Sequence, residues 1–251
     1  GMTDSAPVRW SEDCLHLNIS APTNILKEGD AGGRAVMVWI HGGGYTSGQG
    51  AIPWYNGTRF AKNNDIVVVS INYRLGALGF ADLTHLGDEF ATSNINGTLD
   101  QIAALQWVHD NIAAFGGDPD RVTIAGESAG GFSVATLMAC PSADGLFQQA
   151  IPQSGACHHT LPATAARTAT DHFLQTLGHS SAVELMAVSV DAILAAQNAT
   201  TAHYGRGAGQ VNELGTSVSP FYPVHCNTTL PAAPLDALKA GASASVRVLT
   251  G

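Results

Sequence analysis

Short apolar runs recur along the chain and predict β-strands. Residues 35–40 and 66–71 are almost uniformly apolar and rich in β-branched side chains, which is typical of strands buried on both faces. Residues 15–19 instead alternate apolar and polar side chains, as expected for a strand with one exposed face. The remaining predicted strands are residues 121–125, 149–153 and 246–250.

Between these strands, apolar residues recur at helical spacing. Residues 98–115 form the clearest helix, because apolar side chains repeat there every three or four positions and a pair of glycines follows. Further helices are predicted at residues 59–63, 132–139, 164–178, 182–197 and 235–240, whereas residues 72–93 and 200–234 are predicted to be turns and loops. Strands that alternate with helices predict an α/β fold, a mostly parallel sheet with helices on both faces.

The composition describes one compact domain over residues 1–251. Apolar residues make up 45% of the chain and charged residues only 12%, which excludes a disordered polypeptide. The formal net charge of −9 argues against a nucleic-acid surface. No apolar run approaches the length of a membrane span, so we expect no membrane-spanning segment.

The cysteines and the N-terminus bear on the compartment. Four widely spaced cysteines predict reduced, mostly buried thiols rather than a disulfide framework. Five N-x-[ST] sequons would suit a secreted glycoprotein, but this short pattern often arises by chance. Because the first residues lack the apolar stretch of a signal peptide, we expect a cytoplasmic location.

The segment Gly126-Glu127-Ser128-Ala129-Gly130 connects a predicted strand to a predicted helix. In this context the G-x-S-x-G pattern is typical of a nucleophile elbow, in which the serine lies on a strained turn at the edge of the sheet. Side chains at the two glycines would collide with the neighbouring strand and helix. The pattern therefore predicts Ser128 as a nucleophile, with the Ala129 N–H at a helix N-terminus. The alternative is a glycine-rich turn without chemistry.

The run His41-Gly42-Gly43-Gly44 directly follows the predicted strand of residues 35–40. Consecutive glycines let the backbone approach a substrate carbonyl closely and present N–H groups to it. A tetrahedral intermediate on a serine needs such donors, and the loss of one costs on the order of 3 kcal/mol in the transition state. A flexible glycine turn is the alternative, but the order of the two motifs favours an acyl-transfer site.

These motifs resemble those of the type-B carboxylesterases, in the carboxylesterase and cholinesterase branch of the α/β-hydrolases. The resemblance extends over essentially the whole chain and is most specific in residues 100–131. It implies that Ser128 forms the acyl-enzyme and that the N–H groups of Gly43, Gly44 and Ala129 form the oxyanion hole. It implies neither a cofactor nor a metal. Further matching segments are residues 11–15, 72–74, 153–155 and 221–223.

The resemblance covers the central portion of the family's length. In the family, the catalytic acid is a Glu shortly after a strand that ends in Gly-Thr, and the catalytic His lies much further on. Residues 248–251 resemble the end of that strand. We therefore expect residues 1–251 to be a partial α/β-hydrolase domain, without the family's N-terminal strands and without its C-terminal Glu and His region.

A serine hydroxyl needs a base that accepts its proton, and the chain has ten histidines. His41 belongs to the glycine run, and His109 is predicted to face outward from its helix. His158 and His159 follow a turn that in the family leads toward the acyl pocket. They are interpreted as pocket residues, and a substitute base is the alternative. The other predicted pocket residues are Tyr45, Phe132, Phe221 and Glu127, the last as a buried supporting carboxylate.

The sequence thus predicts a carboxylic-ester hydrolase that acts through an acyl-enzyme. We expect weak or no activity from this chain alone, because loss of the base costs about six orders of magnitude in turnover. A non-catalytic binding or adhesion-type module on the same fold is the alternative. The expected partner is a small-molecule ester with a modest apolar acyl group, without nucleic acid or membrane, and exposed sheet edges favour self-association.

Overall fold

A mixed, six-stranded sheet forms the centre of the molecule. The computed structural model describes residues 11–26, 32–179, 181–205, 213–215 and 219–251, and part of the predicted loop 200–234 lies outside them. The strands are β1 (Leu17–Ser20), β2 (Arg34–Ile40), β3 (Val67–Ile71), β4 (Gly117–Glu127), β5 (Gln149–Gln153) and β6 (Arg247–Val248). Their order is β1-β3-β2-β4-β5-β6. Only the β1–β3 pairing is antiparallel among these strands, which confirms a mostly parallel sheet.

Helices connect the strands, as the apolar spacing predicts. The α-helices of the described residues are α1 (Thr58–Asn64), α2 (Gly76–Phe80), α3 (Asn96–Asn111), α4 (Ala129–Leu137), α5 (Ala163–Leu177), α6 (Ala182–Met186), α7 (Val190–Tyr204) and α8 (Pro234–Lys239). Helix α3 continues as a 3₁₀ turn, Ile112–Phe115, and so covers the predicted segment 98–115. No helix in the described residues combines the length and apolarity needed to cross a membrane.

Four predictions about the extent of the elements are wrong. The single helix expected at residues 182–197 is two helices, because the Ser189 side chain accepts a hydrogen bond from the Ala192 N–H and starts α7 anew. The loop expected from residue 200 begins later, since α7 continues to the buried Tyr204, whose hydroxyl bonds to the Thr168 carbonyl at 3.3 Å. The turn expected after β3 contains α2, and the last strand is only two residues long.

The two faces of the sheet are covered by different helices. Val36, Val38 and Ile40 point to one face and are fully buried, and α3 and α4 pack against β4 there. On the opposite face, α1 lies over β3: a Cβ placed on Gly57, just before α1, would meet the Val68 side chain at 2.5 Å. Helices therefore cover both faces, as predicted.

The burial of the cysteines differs from the prediction, which was that most of the thiols are buried. All four are free, as expected, but only Cys140 is buried. Cys157 is half-buried, and Cys14 and Cys226 are exposed, because both lie in irregular segments at the surface. Within the described ranges, no three His, Cys, Asp or Glu side chains are arranged to hold a metal ion.

Candidate active site

Ser128 occupies the sharp turn between β4 and α4. Its backbone has φ 56° and ψ −122°, a conformation that a side-chain-bearing residue rarely adopts. Two hydrogen bonds hold it there: the Ser128 N–H donates to the Gln153 carbonyl at 3.0 Å, and the Phe132 N–H donates to the Ser128 carbonyl at 2.8 Å. Ser128 directly follows the last residue of β4 and is half-buried, so it lies at the carboxyl edge of the sheet and is partly open to solvent.

The glycines on either side of Ser128 are required by close backbone contacts. A Cβ on Gly126 would lie 2.6 Å from the Gly130 carbonyl carbon and 2.7 Å from the Ile40 carbonyl oxygen. A Cβ on Gly130 would run into the same Ile40 oxygen. The helix after the serine therefore packs directly on the end of β2, as the elbow pattern predicts.

The glycine run after β2 lies directly against Ser128. A Cβ on Gly42 would be 2.6 Å from the Glu127 carbonyl oxygen and 3.4 Å from the Ser128 Cβ. Gly43 and Gly44 have φ values of 119° and 64°, which glycine adopts at no steric cost. The Gly43 carbonyl accepts hydrogen bonds from the backbone N–H groups of residues 46 and 47, both at 3.1 Å. The two motifs thus form one site, although Gly44 and Ser128 are 84 positions apart in the sequence.

Three backbone N–H groups at this site have no acceptor in the described part of the chain. No described residue accepts a hydrogen bond from the N–H of Gly43, Gly44 or Ala129. Gly44 and Ala129 are buried, and an unpaired N–H away from water is energetically costly. Donors left free beside a serine are available to an oxyanion that forms on it.

His41 supports the glycine run and is not placed to act as a base. Its Nδ1 lies 2.9 Å from the Gly42 carbonyl oxygen, and its ring stacks on Tyr73 at 4.5 Å. The Tyr73 hydroxyl donates to the His41 carbonyl at 2.8 Å. Burial lowers the pKa of His41 to about 4, so its imidazole is neutral near pH 7. Sequence reasoning missed the role of Tyr73, although it noted the segment 72–74 as part of the resemblance.

A partly buried ion pair fixes the segment beside the glycine run. Arg74 contacts both carboxylate oxygens of Asp100, with Nη2–Oδ1 at 2.7 Å and Nε–Oδ2 at 2.8 Å. The hydrogen bonds to Asp100 raise the pKa of Arg74. Two residues later, the Gly76 N–H donates to the Tyr45 carbonyl at 2.6 Å. The ion pair therefore anchors the backbone that holds Tyr45, the residue after Gly44.

The predicted pocket residues fall into different places. Tyr45 is fully buried, and its hydroxyl accepts a hydrogen bond from the Ser133 hydroxyl at 3.3 Å. Phe221 is also buried, with its ring 5.8 Å from that of Phe173. Both therefore belong to the core behind the site. Glu127 is half-buried rather than buried, and its Oε2 would lie 3.3 Å from a Cβ on Gly42.

The two adjacent histidines lie beside α4. The His159 ring stacks on Phe132 with centroids 3.4 Å apart and an interplanar angle of 4°. His158 is exposed, and its ring lies 4.4 Å from that of His159. Burial, followed by the neighbouring His158, lowers the pKa of His159. None of the ten histidines, all of them in described ranges, hydrogen-bonds Ser128, and His109 is exposed as predicted.

Comparison with known proteins identifies relatives over the whole chain. Residues 2–251 match the Carboxylesterase family. The para-nitrobenzyl esterase of Bacillus subtilis (strain 168) is 42% identical over 245 residues, 97% of this chain and 47% of that protein. The phenmedipham hydrolase of Pseudarthrobacter oxydans is 39% identical over 91% of this chain and 43% of its own length. The chain thus spans about half the length of the curated relatives it matches.

Solved structures agree with this assignment. A thermophilic PNB esterase superposes with a TM-score of 0.85 at 40% identity, over 97% of this chain and 47% of its own. A carboxylesterase of Geobacillus stearothermophilus superposes with a TM-score of 0.81 at 39% identity, over 96% of this chain and 49% of its own. The fold is therefore the α/β-hydrolase fold, and the chain belongs to the carboxylesterase family.

Proposed function

We propose that this chain supplies the nucleophile and the oxyanion hole of a carboxylic-ester hydrolase. One observation carries the proposal: Ser128 lies on a strained elbow with Gly42 against it, and the N–H groups of Gly43, Gly44 and Ala129 have no partner among the described residues. Membership of the carboxylesterase family supports a hydrolase over a binding or adhesion module.

In the proposed acylation step, the Ser128 Oγ attacks the ester carbonyl carbon. The new Oγ–C bond forms as the hydroxyl proton passes to a base, and the carbonyl oxygen becomes an oxyanion held by the three N–H groups. Collapse of this intermediate breaks the bond to the alcohol oxygen, and the alcohol leaves with the proton. Water then attacks the acyl-enzyme by the same route, which releases the carboxylic acid and restores the serine.

Within the described residues, no histidine is placed to accept the proton of Ser128. None of the ten histidines bonds to Ser128, and His41 is neutral and turned toward the Gly42 carbonyl. A serine without its base loses about six orders of magnitude in turnover. We therefore propose that these 251 residues alone hydrolyse esters weakly.

The proposed substrates are small, uncharged carboxylic esters. The two relatives described above are named for a para-nitrobenzyl ester and for phenmedipham, which supports small organic substrates. The net charge of −9 gives no attraction for nucleic acid. Esters of a chromogenic phenol therefore suit a first assay.

The test is hydrolysis of p-nitrophenyl butyrate by the wild type and by Ser128→Ala. Continuous nitrophenol release that Ser128→Ala abolishes would support the proposal and show that a base is available, with His158 and His159 the next residues to replace. A stoichiometric burst would support the nucleophile and oxyanion hole without deacylation. Equal release by both proteins would contradict the proposed role of Ser128.

We also propose that the chain self-associates through its sheet edges. On β6, Val248 is 47% exposed, and the following Leu249 is 65% exposed. An outer strand with apolar side chains offers unpaired backbone groups to another strand. Sedimentation velocity of the wild type should show concentration-dependent association that Val248→Lys reduces. A monomer at all concentrations would contradict the proposal.

A further inference from the structure

The proposed oxyanion hole takes its N–H groups from two separate elements. Gly43 and Gly44 lie in the loop after β2, and Ala129 begins helix α4. These donors stabilise an oxyanion only at a fixed separation, because a misplacement of about 1 Å can cost about 100-fold in rate. Glycine does not fix a backbone by itself, since it adopts many conformations. Other residues must therefore hold the loop against α4.

Tyr45, the next residue after Gly44, has an unusual backbone conformation. Its φ of 60° lies in the left-handed region, which a bulky side chain rarely adopts. The tyrosine is fully buried, and its carbonyl accepts a hydrogen bond from the Gly76 N–H at 2.6 Å. Its ring packs edge-on against those of Phe80 and Tyr222, with centroid distances of 5.1 and 5.4 Å. Such a conformation persists only where the surrounding contacts impose it.

A chain of buried polar side chains connects Tyr45 to α4 and α3. The Ser133 hydroxyl donates to the Tyr45 hydroxyl at 3.3 Å, and the Gln101 Nε2 donates to the Ser133 Oγ at 2.9 Å. All three residues are at most 1% exposed. Ser133 lies one helical turn after Ala129 on α4, so its bond to Tyr45 joins the two elements that carry the oxyanion donors. We call Gln101, Ser133 and Tyr45 the buried tether.

The Gln101 side chain adds little net stability. Its Nε2 belongs to the tether, but its Oε1 is buried and has no hydrogen-bond partner in the described part of the chain. A buried acceptor without a donor destabilises a fold, and an apolar side chain of similar shape avoids that penalty. Methionine is close to glutamine in size and lacks the acceptor. Orientation and stability can therefore be separated at this position.

We propose that Gln101 and Ser133 are positioning residues for the oxyanion hole. Acting through Tyr45, they hold the N–H groups of the glycine run at a fixed separation from the first N–H of α4. This inference rests on the proposed function for what the N–H groups do, but not for the tether itself. The loop can therefore be tested with and without ester hydrolysis.

The first experiment follows the loop without chemistry. The wild type, Gln101→Met and Ser133→Ala are labelled with ¹⁵N-glycine, and the transverse relaxation rate R2 of each amide is measured by NMR. In both variants we expect R2 of Gly43 and Gly44 to rise about twofold or more, because the loop then exchanges between conformations. Gly145, outside the site, should keep its wild-type rate. Unchanged rates at both loop amides would overturn the proposal.

Ser243→Ala is the matched control. The Ser243 hydroxyl donates to the Met138 carbonyl at 2.7 Å, so this variant also removes a serine hydroxyl bond, but at the far end of α4. It should leave both loop amides unchanged, and equal broadening there would overturn the proposal. Circular dichroism checks the fold of each variant, and Gln101→Met should keep the wild-type urea midpoint. A lower midpoint with unchanged amides would assign the tether to stability alone.

Tyr45→Phe tests whether the effect passes through one hydrogen bond. Ser133→Ala and Tyr45→Phe remove that bond from its two ends. The double variant should therefore broaden the loop amides no more than either single variant does. Effects that add in the double variant would indicate two independent contacts and contradict the tether.

Ester hydrolysis then shows which of the two proposals fails, if one does. With p-nitrophenyl butyrate, Gln101→Met should lower kcat about tenfold and leave KM near its wild-type value, because the oxyanion forms only after the substrate has bound. That result supports both proposals. Broadened loop amides without any Ser128-dependent turnover in the wild type support the tether and contradict the hydrolase activity. Ser128-dependent turnover with unchanged amides and an equal kcat in Gln101→Met supports the hydrolase and contradicts the tether.

Discussion

Along β2 and β5, the two faces of the central sheet differ in how completely they are covered. On β2, Val38 is fully buried on the face where α3 and α4 pack, whereas its neighbours Met37 and Trp39 on the opposite face are only half-buried. All residues from 35 to 40 are apolar, so both faces of this strand carry apolar side chains. Hydrophobic patterning therefore does not reveal which face is tightly packed. The tightly packed face is the one that supports the elbow helix α4.

Helix α4 packs directly against the end of β2 on this face. In Gly130→Ala, the new methyl group would run into the Ile40 carbonyl oxygen. This oxygen belongs to the backbone and cannot rotate away as a side chain could. We expect a loss of more than about 4 kcal/mol in the free energy of unfolding, measured by urea denaturation. Gly145→Ala is the control, because a Cβ there meets nothing within 4 Å and only its positive φ costs stability, about 1 kcal/mol. Similar losses in the two variants would contradict this account.

A matched pair of isoleucines compares the two faces directly. Ile124 on β4 is fully buried and pairs in register with Val38, whereas Ile151 on β5 is half-buried on the opposite face. Ile124→Ala should lower the free energy of unfolding by about 2–5 kcal/mol, because it leaves a cavity. Ile151→Ala should cost less than half as much. Equal costs in urea denaturation would show that both faces are equally packed.

His41, at the end of β2, should make stability depend on pH. Its pKa is about 4 in the folded protein and about 6.5 when unfolded, so the unfolded chain binds a proton that the folded one does not. The His41 contribution to stability is therefore complete above pH 6.5 and falls by about 3 kcal/mol as the pH drops towards 4. His41→Phe keeps an aromatic ring on Tyr73 and should show a shallower pH dependence in denaturation. Parallel pH profiles would exclude this role.

The smallest changes in stability should come from removing the polar atoms of two aromatic side chains, Trp39 and Tyr45. The Trp39 Nε1, on the half-buried face, is buried and has no acceptor among the described residues. Trp39→Phe removes that unpaired donor and should change stability by less than about 1 kcal/mol. Tyr45→Phe, in the core, breaks the bond from Ser133 and should cost about 1 kcal/mol. A larger loss for Trp39→Phe than for Tyr45→Phe in urea denaturation would reverse the comparison.

Local signals explain which elements could be predicted. The strands of residues 35–40 and 66–71 and the helix of residues 98–115 follow from apolar spacing, and the structure differs from them by only a few residues. The break before α7 was missed because its signal is one capping side chain, Ser189, inside an Ala- and Val-rich stretch. The burial of Tyr204 depends on α5, which no local pattern reports.

By itself, the sequence determined the α/β fold class, the two glycine motifs and the resemblance to the carboxylesterases. These features are local: apolar periodicity, strained turns that only glycine permits, and a strand–turn–helix context. Only the tertiary structure brought Gly42 against the Ser128 Cβ, stacked His159 on Phe132 and covered one face of the sheet more completely than the other. Such contacts join residues far apart in the chain, and the packing of whole elements decides them.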